Sequence, residues 1–338
     1  MTQYRQGGFV LAVTLWVLAI VAMAAAFFAD RMARTVHLAE RAQARSLALL
    51  DMEATRADIL FRMSTTPISI FGLGLDSANA IALDDRAYAG RGDSLVRLQD
   101  NRGLLNLNIV NDARLDRFLG VLGVAGAGRT AMIDTLRDYV DDDNLKRLNG
   151  AEAADYAEAG LPPPRNAMLV TPFETKNILG WKDVAPLWQD NLLPRLTTTG
   201  ASFSMNPNTA PWQVLATMRG MTPEAALAIV QARKLAPIAS AEQIASLTGI
   251  AVSTDMFEPD VIAYPADSMR ITQKALDMGW GWQYNVTLTP SGASAPWRID
   301  YFYRIELPPT TDGEQVLQPL PKRSEVGAPV TPGVLPVP

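Results

Sequence analysis

Between Gly8 and Pro67 the chain contains neither glycine nor proline, the two residues that most readily end a helix. No charge occurs from Gln6 to Ala29, and from Phe9 through Phe28 the residues are almost wholly apolar. About 20 apolar residues is the length that spans a bilayer's hydrocarbon core as a helix. Thr14 costs little there, because its hydroxyl can bond back to its own helix backbone. After Asp30 the same unbroken stretch turns amphipathic: Leu47, Leu50, Ala54, Ala57 and Phe61 recur at spacings of three and four, one stripe of a helix. Arg45, Asp51, Arg56, Asp58 and Arg62 fall mostly elsewhere. The pattern predicts one continuous helix over residues 9–63, roughly 55 residues and about 80 Å long. Its first half lies in lipid and its second half carries a soluble domain.

Two simpler readings compete for this segment. Ala22-Met23-Ala24 and Ala24-Ala25-Ala26 have the A-x-A form of a signal-peptide cleavage site, and the run also suits an ordinary single-pass anchor. Arg31, Arg34, Arg41 and Arg45 follow the span while only Arg5 precedes it. By the positive-inside rule that bias predicts the opposite orientation to the one adopted below.

Composition removes much chemistry. The 338 residues are enough for a sizeable core, and 48% apolar with 19% charged residues excludes a disordered or fibrous chain. A net charge of -5 argues against general affinity for nucleic acid phosphates. There is no cysteine and a single histidine, His37, so disulfides, thiolate chemistry and multi-histidine zinc sites are excluded. His37 lies beside Arg34 and Glu40 and reads as a surface residue. No nucleotide loop, supported carboxylate pair or nucleophile elbow is present, so the chain is not expected to be an enzyme.

Residues 64–82 read as loop, and Leu95, Arg97 and Gln99 interleaved with Val96 and Leu98 predict a strand with a turn at Asp100-Gly103. The middle, 109–262, is mostly helical: Leu115, Phe118, Leu119 and Leu122 mark one helix, and Ile133, Leu136 and Val140 another. Pro211-Leu215 opens a third, Thr222-Pro223 is an N-cap with proline at N1 opening a fourth, and Ser240 begins a fifth. Asn106-Leu107-Asn108 and Asn206-Pro207-Asn208 each precede a helix ending near Gly120 or Gly220, which points to a duplicated helical unit. Beyond Ile262, alternation at Met269-Gln273, Gln283-Thr289 and Ile299, Tyr301, Tyr303, Ile305 predicts antiparallel strands with one face buried. The fold class expected is therefore α+β: a long N-terminal helix on an antiparallel sheet formed by residues 64–108 and 263–307, with 109–262 inserted as two small helical units. The proline-rich residues 308–338 are expected to be disordered.

Asp138, Asp141, Asp142, Asp143 and Asn144, then Glu152 and Asp155, gather hard oxygen donors of the kind calcium takes in an irregular loop. A solvated acidic helix end with Lys146 and Arg147 as counter-charges explains the same residues. Leu215-Thr222 with Ala226, Ile229 and Arg233 has the outline of a helix-hairpin-helix. Its cations, Arg219, Arg233 and Lys234, are too few for phosphate affinity, which favours a packing module. Trp280, Trp282 and Tyr284 read as sheet core.

A short leader ending in Gly7-Gly8 before Phe9 resembles the prepilin signal of type IV pilins and type II secretion pseudopilins. The resemblance implies cleavage between Gly8 and Phe9 by prepilin peptidase and methylation of Phe9. It leaves 1–8 as leader and the mature chain in the inner membrane with a periplasmic globular part. Pilins of this kind carry glutamate at the fifth mature position; here it is Val13. A carboxylate in hydrocarbon needs a cationic partner, which the subunit ahead supplies, so valine suits the leading position at the tip. Chain size, Leu104-Asn108, the acidic segments Tyr139-Asp143 and Leu148-Glu152 with Asp155-Tyr156, and Phe203-Pro211 resemble the minor pseudopilin K family. Membership implies structural calcium, assigned to Asp141, Asp143, Glu152 and Asp155. It implies minor pseudopilins I and J as partners, secreted cargo as a further contact, and no nucleic acid. The rival readings are a DNA-uptake pilin and a secreted protein whose mature chain starts near Phe27.

Overall fold

The computed structural model describes residues 7–200, 204–254, 260–275, 278–292, 294–307 and 318–321. Helix α1 (Gly7–Thr65) runs unbroken for 59 residues, about 88 Å at 1.5 Å per residue. Its first half is bare: the most apolar 18-residue window has mean hydropathy 2.6 and none of it is buried. By length and composition this helix can cross a membrane.

Six strands form the main sheet in the order β10-β3-β4-β7-β8-β9. They are β3 (Asp84–Ala89), β4 (Ser94–Asp100), β7 (Ser268–Ala275), β8 (Trp280–Leu288), β9 (Trp297–Glu306) and β10 (Gln318–Pro319). All neighbours are antiparallel except β10, which lies parallel on the edge of β3. The loop before the sheet holds a small hairpin, β1 (Ile68–Ser69) with β2 (Gly72–Leu73). Met52, Ile59, Leu60 and Met63 of α1 are buried on the sheet face that presents Val96, Leu98, Met269, Ile271, Tyr284 and Val286. Thr55 crosses the same contact, its Oγ1 lying 3.0 Å from Ser94 Oγ and accepting from the Arg91 amide at 2.8 Å.

The stripe legible in the sequence is not the one the sheet covers. Leu47, Leu50 and Phe61 are 54%, 65% and 47% exposed. At about 100° per residue they centre on nearly the opposite side of the helix from Met52 and Ile59. Thr55 interrupts the covered stripe, so that the helix is apolar on two faces and only the uninterrupted one stands out as a pattern.

Strands β4 and β7 are hydrogen-bonded neighbours with Asp100 opposite Met269, and everything between them is an insertion. It contains β5 (Leu105–Asn106), α2 (Asp112–Val121), α3 (Gly126–Val140), α4 (Ala153–Glu158), α5 (Ala185–Trp188), α6 (Leu192–Leu196) and β6 (Thr197–Thr198). A second group follows: α7 (Trp212–Leu215), α8 (Pro223–Ala232) and α9 (Ala241–Thr248). The junction thus falls at Asp100, ahead of the 108/109 line drawn from the sequence, because Leu105 and Leu107 already belong to the helical core.

The two units repeat at the level of single hydrogen bonds. The Asn108 amide donates to Asn106 Oδ1 at 3.0 Å, and the Asn208 amide to Asn206 Oδ1 at 2.9 Å. Asn108 Nδ2 donates to Leu169 O and Thr199 O while its Oδ1 accepts from the Leu169 amide. Asn208 does the same with Ile238 O, Ala263 O and the Ile238 amide. Leu105 pairs parallel with Thr197, and Met205 with Val261. Each unit is a loop of helices whose two ends are stitched by one short parallel pairing and one asparagine clamp.

Four further expectations are corrected. The turn of the first hairpin is at Gly90–Asp93, while Asp100–Gly103 is a 3-10 turn in which the Asp100 side chain accepts from the Arg102 amide. The sheet is buried on both faces, since the insertion covers a polar second face of Gln99, Arg270, Thr272, Gln283 and Asn285. A bulge in β9 opposite Asn285/Val286 turns Ile299 to the α1 side against Val286, away from Tyr301 and Tyr303. Within the segment expected to be disordered, Gln318–Pro319 form β10, and Arg62 Nη1 donates to Pro321 O at 2.8 Å; the rest of 308–338 lies outside the described residues.

Candidate functional site

The acidic segment joins the C-terminal end of α3 to the start of α4. Helix α3 stops at Val140 and Asp141 is extended, so Asp138, Asp141 and Asp143 project from a helix end and the loop that leaves it. Glu152 sits at the N-cap of α4, which brings its carboxylate back to theirs. One oxygen each from Asp141, Asp143 and Glu152 lie within 4.8 Å of one another. Two oxygens held by one calcium ion at 2.3–2.6 Å are at most about 5 Å apart. Both Glu152 oxygens and Asp141 Oδ1 are buried with no hydrogen-bond partner among the described residues, and so is Asn166 Oδ1. Asn166 Nδ2 meanwhile donates to Asp143 O at 3.0 Å. Burial, then the neighbouring carboxylates, pushes the Glu152 and Asp141 carboxyls above the usual range, the state of a negative cluster whose charge Arg147 offsets only in part.

Asp155 is not brought into this group. Its oxygens accept from Lys146 Nζ at 2.5 Å and from the Glu152 amide at 2.9 Å, and the Lys146 bond holds its carboxyl below the usual range. It serves α4 as a capping residue. Asp138 turns to the amide of Arg147 at 3.1 Å; a Cβ on Gly150 would collide with its carboxylate, so any larger residue there would require the Asp138 side chain to shift. Sequence reasoning missed Asn166, which lies 14 residues beyond Glu152 with no acidic neighbour to mark it.

Gly8 lies in the first turn of α1, and Phe9 and Val13 are 78% and 43% exposed on its bare apolar half; residues 1–6 lie outside the described residues. His37 is exposed, its Nδ1 3.2 Å from Glu40 Oε2. The hairpin between α7 and α8 turns on Gly220 at φ 77°, and Thr222 caps α8 by accepting from the Ala225 amide. Arg233 Nη1 donates to Pro207 O and Ala210 O, tying α8 to the second asparagine motif. Phe203, the first residue of that motif's expected element, lies outside the described residues. Trp280 and Trp282 are half-buried beside Met52, as expected of sheet core.

No curated protein sequence matches the chain. Two family models, both of type II secretion system (T2SS), protein K, match residues 95–200 and 205–259. Their boundary coincides with the boundary between the two asparagine-clamped units. Among solved structures the chain is similar to one in the crystal structure of the GspK-GspI-GspJ complex from the enterotoxigenic Escherichia coli Type 2 Secretion System. Identity is 13% over 82% of this chain and 98% of that chain, with a TM-score of 0.49.

Proposed function

The chain belongs to the type II secretion system protein K family, and from that membership we propose that it is the minor pseudopilin at the tip of the pseudopilus. There it nucleates the filament together with minor pseudopilins I and J for export of folded proteins across the outer membrane. The observation that carries this reading is the joining, in one chain, of both family-specific helical units to a helix α1 that is apolar on two faces and covered on one. The bare first half anchors the subunit in the inner membrane. The exposed stripe of Leu47, Leu50 and Phe61 is the surface for partner helices, and the inserted units form a periplasmic head too broad to be followed by another subunit. Val13 in place of an acid removes the need for a neighbour ahead.

Prepilin peptidase would cut the Gly8–Phe9 bond, and Phe9 would carry the N-terminal methyl group. Calcium is proposed at Asp141, Asp143 and Glu152, on the strength of the oxygen spacing and the orphaned buried oxygens there. The ion supplies the positive charge that lets those oxygens share one loop, and so fastens α4 to the end of α3. The role is structural, not enzymatic. N-terminal sequencing of protein extracted from membranes tests the assignment: Phe9 is the expected first residue. An intact leader, or a start near Phe27, would overturn it.

A further inference from the structure

The arginines that follow the apolar run are not spread evenly around α1. At about 100° per residue, Arg31, Arg34, Arg41 and Arg45 fall within a sector of about 80°, in which Leu38 is the central apolar residue. No acidic residue from 31 to 45 shares that sector: Glu40 lies well around the helix from it and is taken by His37. Arg34 pairs with Asp30 at 3.0 Å, both side chains well exposed. Arg31 and Arg41 have no ion pair among the described residues. The Arg45 guanidinium stands 6.0 Å from the Trp280 ring centroid and likewise has no carboxylate among them. Leu38 is 65% exposed. Continued upward, the same face reaches Ala48 and Met52, which pack against Ala275, Met278 and Trp280. The row therefore runs beneath the globular body, along a stretch of about 25 Å from Arg31 to Ala48 that the body leaves uncovered.

Two anionic partners fit arginine: lipid headgroups and protein carboxylates. The headgroup layer is about 5–7 Å deep on each side of the hydrocarbon. Measured from Ala29, Arg31 and Arg34 stand about 3 and 8 Å along the helix, but Arg41 and Arg45 about 18 and 24 Å. Lipid can serve the first two and not the others. A rod lying parallel to α1 can serve all four, and a helix of about 10–12 Å diameter fits the uncovered stretch. The row also carries a topological cost, because arginines directly after the span oppose a periplasmic globular part; a partner's carboxylates would offset it.

We propose that Arg31, Arg34, Arg41 and Arg45 dock a helix of a neighbouring subunit that presents carboxylates at matching intervals of three, seven and four residues, with an apolar residue against Leu38. This rests on the pseudopilin reading and adds the chemistry of the partner surface to it. The contact is electrostatic and distinct from the apolar stripe of Leu47, Leu50 and Phe61 on another side of the helix.

The test uses the full-length chain co-expressed with minor pseudopilins I and J, extracted in a neutral detergent, with recovery of the complex as the readout. The triple variant Arg31→Glu, Arg34→Glu, Arg41→Glu is expected to lower recovery about tenfold or more, since like charges would face each other at three sites. The corresponding triple lysine variant is expected to keep most of it, and raised salt to weaken the wild-type complex. All three side chains are exposed, so thermal melting should be unchanged and serves as the control for folding. Undiminished recovery of the glutamate variant alongside a wild-type complex overturns the docking row. If the same variant instead loses only its flotation with phosphatidylglycerol vesicles relative to phosphatidylcholine ones, the row is a lipid contact and the proposal fails. Absence of any complex with the wild-type chain would sink the tip reading itself, a result separable from the other two.

Discussion

Asp100 is fully buried and forms no ion pair with a cation among the described residues. Its carboxylate accepts from the Arg102 amide at 3.0 Å, Asn206 Nδ2 at 2.9 Å, Thr209 Oγ1 at 2.8 Å and the Ala266 amide at 2.8 Å. It joins the end of β4 to the second asparagine motif and to the return of the chain into β7. Burial still outweighs the donors and pushes its carboxyl above the usual range. The folded state therefore holds this proton more tightly than the unfolded chain. The contribution is fully present below the ordinary carboxylate value near 4 and is lost as pH rises through the folded value. Thermal melts across that window should show the wild type losing stability with rising pH and Asp100→Asn losing less. The asparagine variant should itself cost about 1–3 kcal/mol, because an NH2 group then faces buried donors. Asn108 and Asn208 each make three bonds to distant backbone, so either alanine variant should cost about 2–4 kcal/mol by leaving a backbone N–H and two carbonyls unpaired. The N-x-N motifs were plain in the sequence. Their use was not, since the partners Leu169, Thr199, Ile238 and Ala263 are ordinary residues 30 to 91 positions away.

Helix α1 shows what periodicity can and cannot deliver for an element. Its length was legible because nothing between Gly8 and Pro67 could end it. The covered face was not, because two apolar faces compete and Thr55 blurs the one that wins. Ile59→Ala should destabilise the fold by about 2–4 kcal/mol, since its side chain is fully buried against the sheet. Leu50→Asp, on the exposed stripe, should leave the melting temperature nearly unchanged and lower recovery of partner subunits; equal loss of stability in both variants would show that the faces had been confused. The α3–α4 loop makes the corresponding case for the proposed cation site. The density of Asp was visible, but folding selects Asp141, Asp143 and Glu152 and assigns Asp155 to a helix cap. Calcium should raise the melting temperature by mass action on the folded state, and Glu152→Gln should remove most of that rise, read by calorimetry with and without a chelator.

At the scale of the molecule, the two larger cores among the described residues stand side by side and share no residue. One is drawn from α1 and the main sheet, the other from Leu105 to Ile244. The change from helical to alternating periodicity after Ile262 was enough to read the insertion from the sequence, but its seam depends on cross-strand register, which no local pattern encodes. That seam is narrow: Asp100 and Met269 are directly opposed. The sheet face beneath the insertion is rich in Gln99, Arg270, Thr272, Gln283 and Asn285, side chains that water can serve as well as protein does. An antiparallel sheet with one apolar and one polar face is stable with the polar face wet. Replacing residues 101–268 by a two-residue Asn-Gly turn, which joins Asp100 to its partner Met269 in register and suits an antiparallel pair, should thus leave α1 and the sheet folded and membrane-extractable. The lost partners of Asp100 and of Arg270, which donates to Pro194 O at 2.6 Å, would be replaced by solvent. Cooperative melting with retained near-ultraviolet dichroism from Trp280, Trp282 and Tyr284 is the expected result. A non-cooperative or aggregated product would mean that the insertion is part of the sheet's own folding unit, and that the two cores, although separate in contact, are not separate in stability.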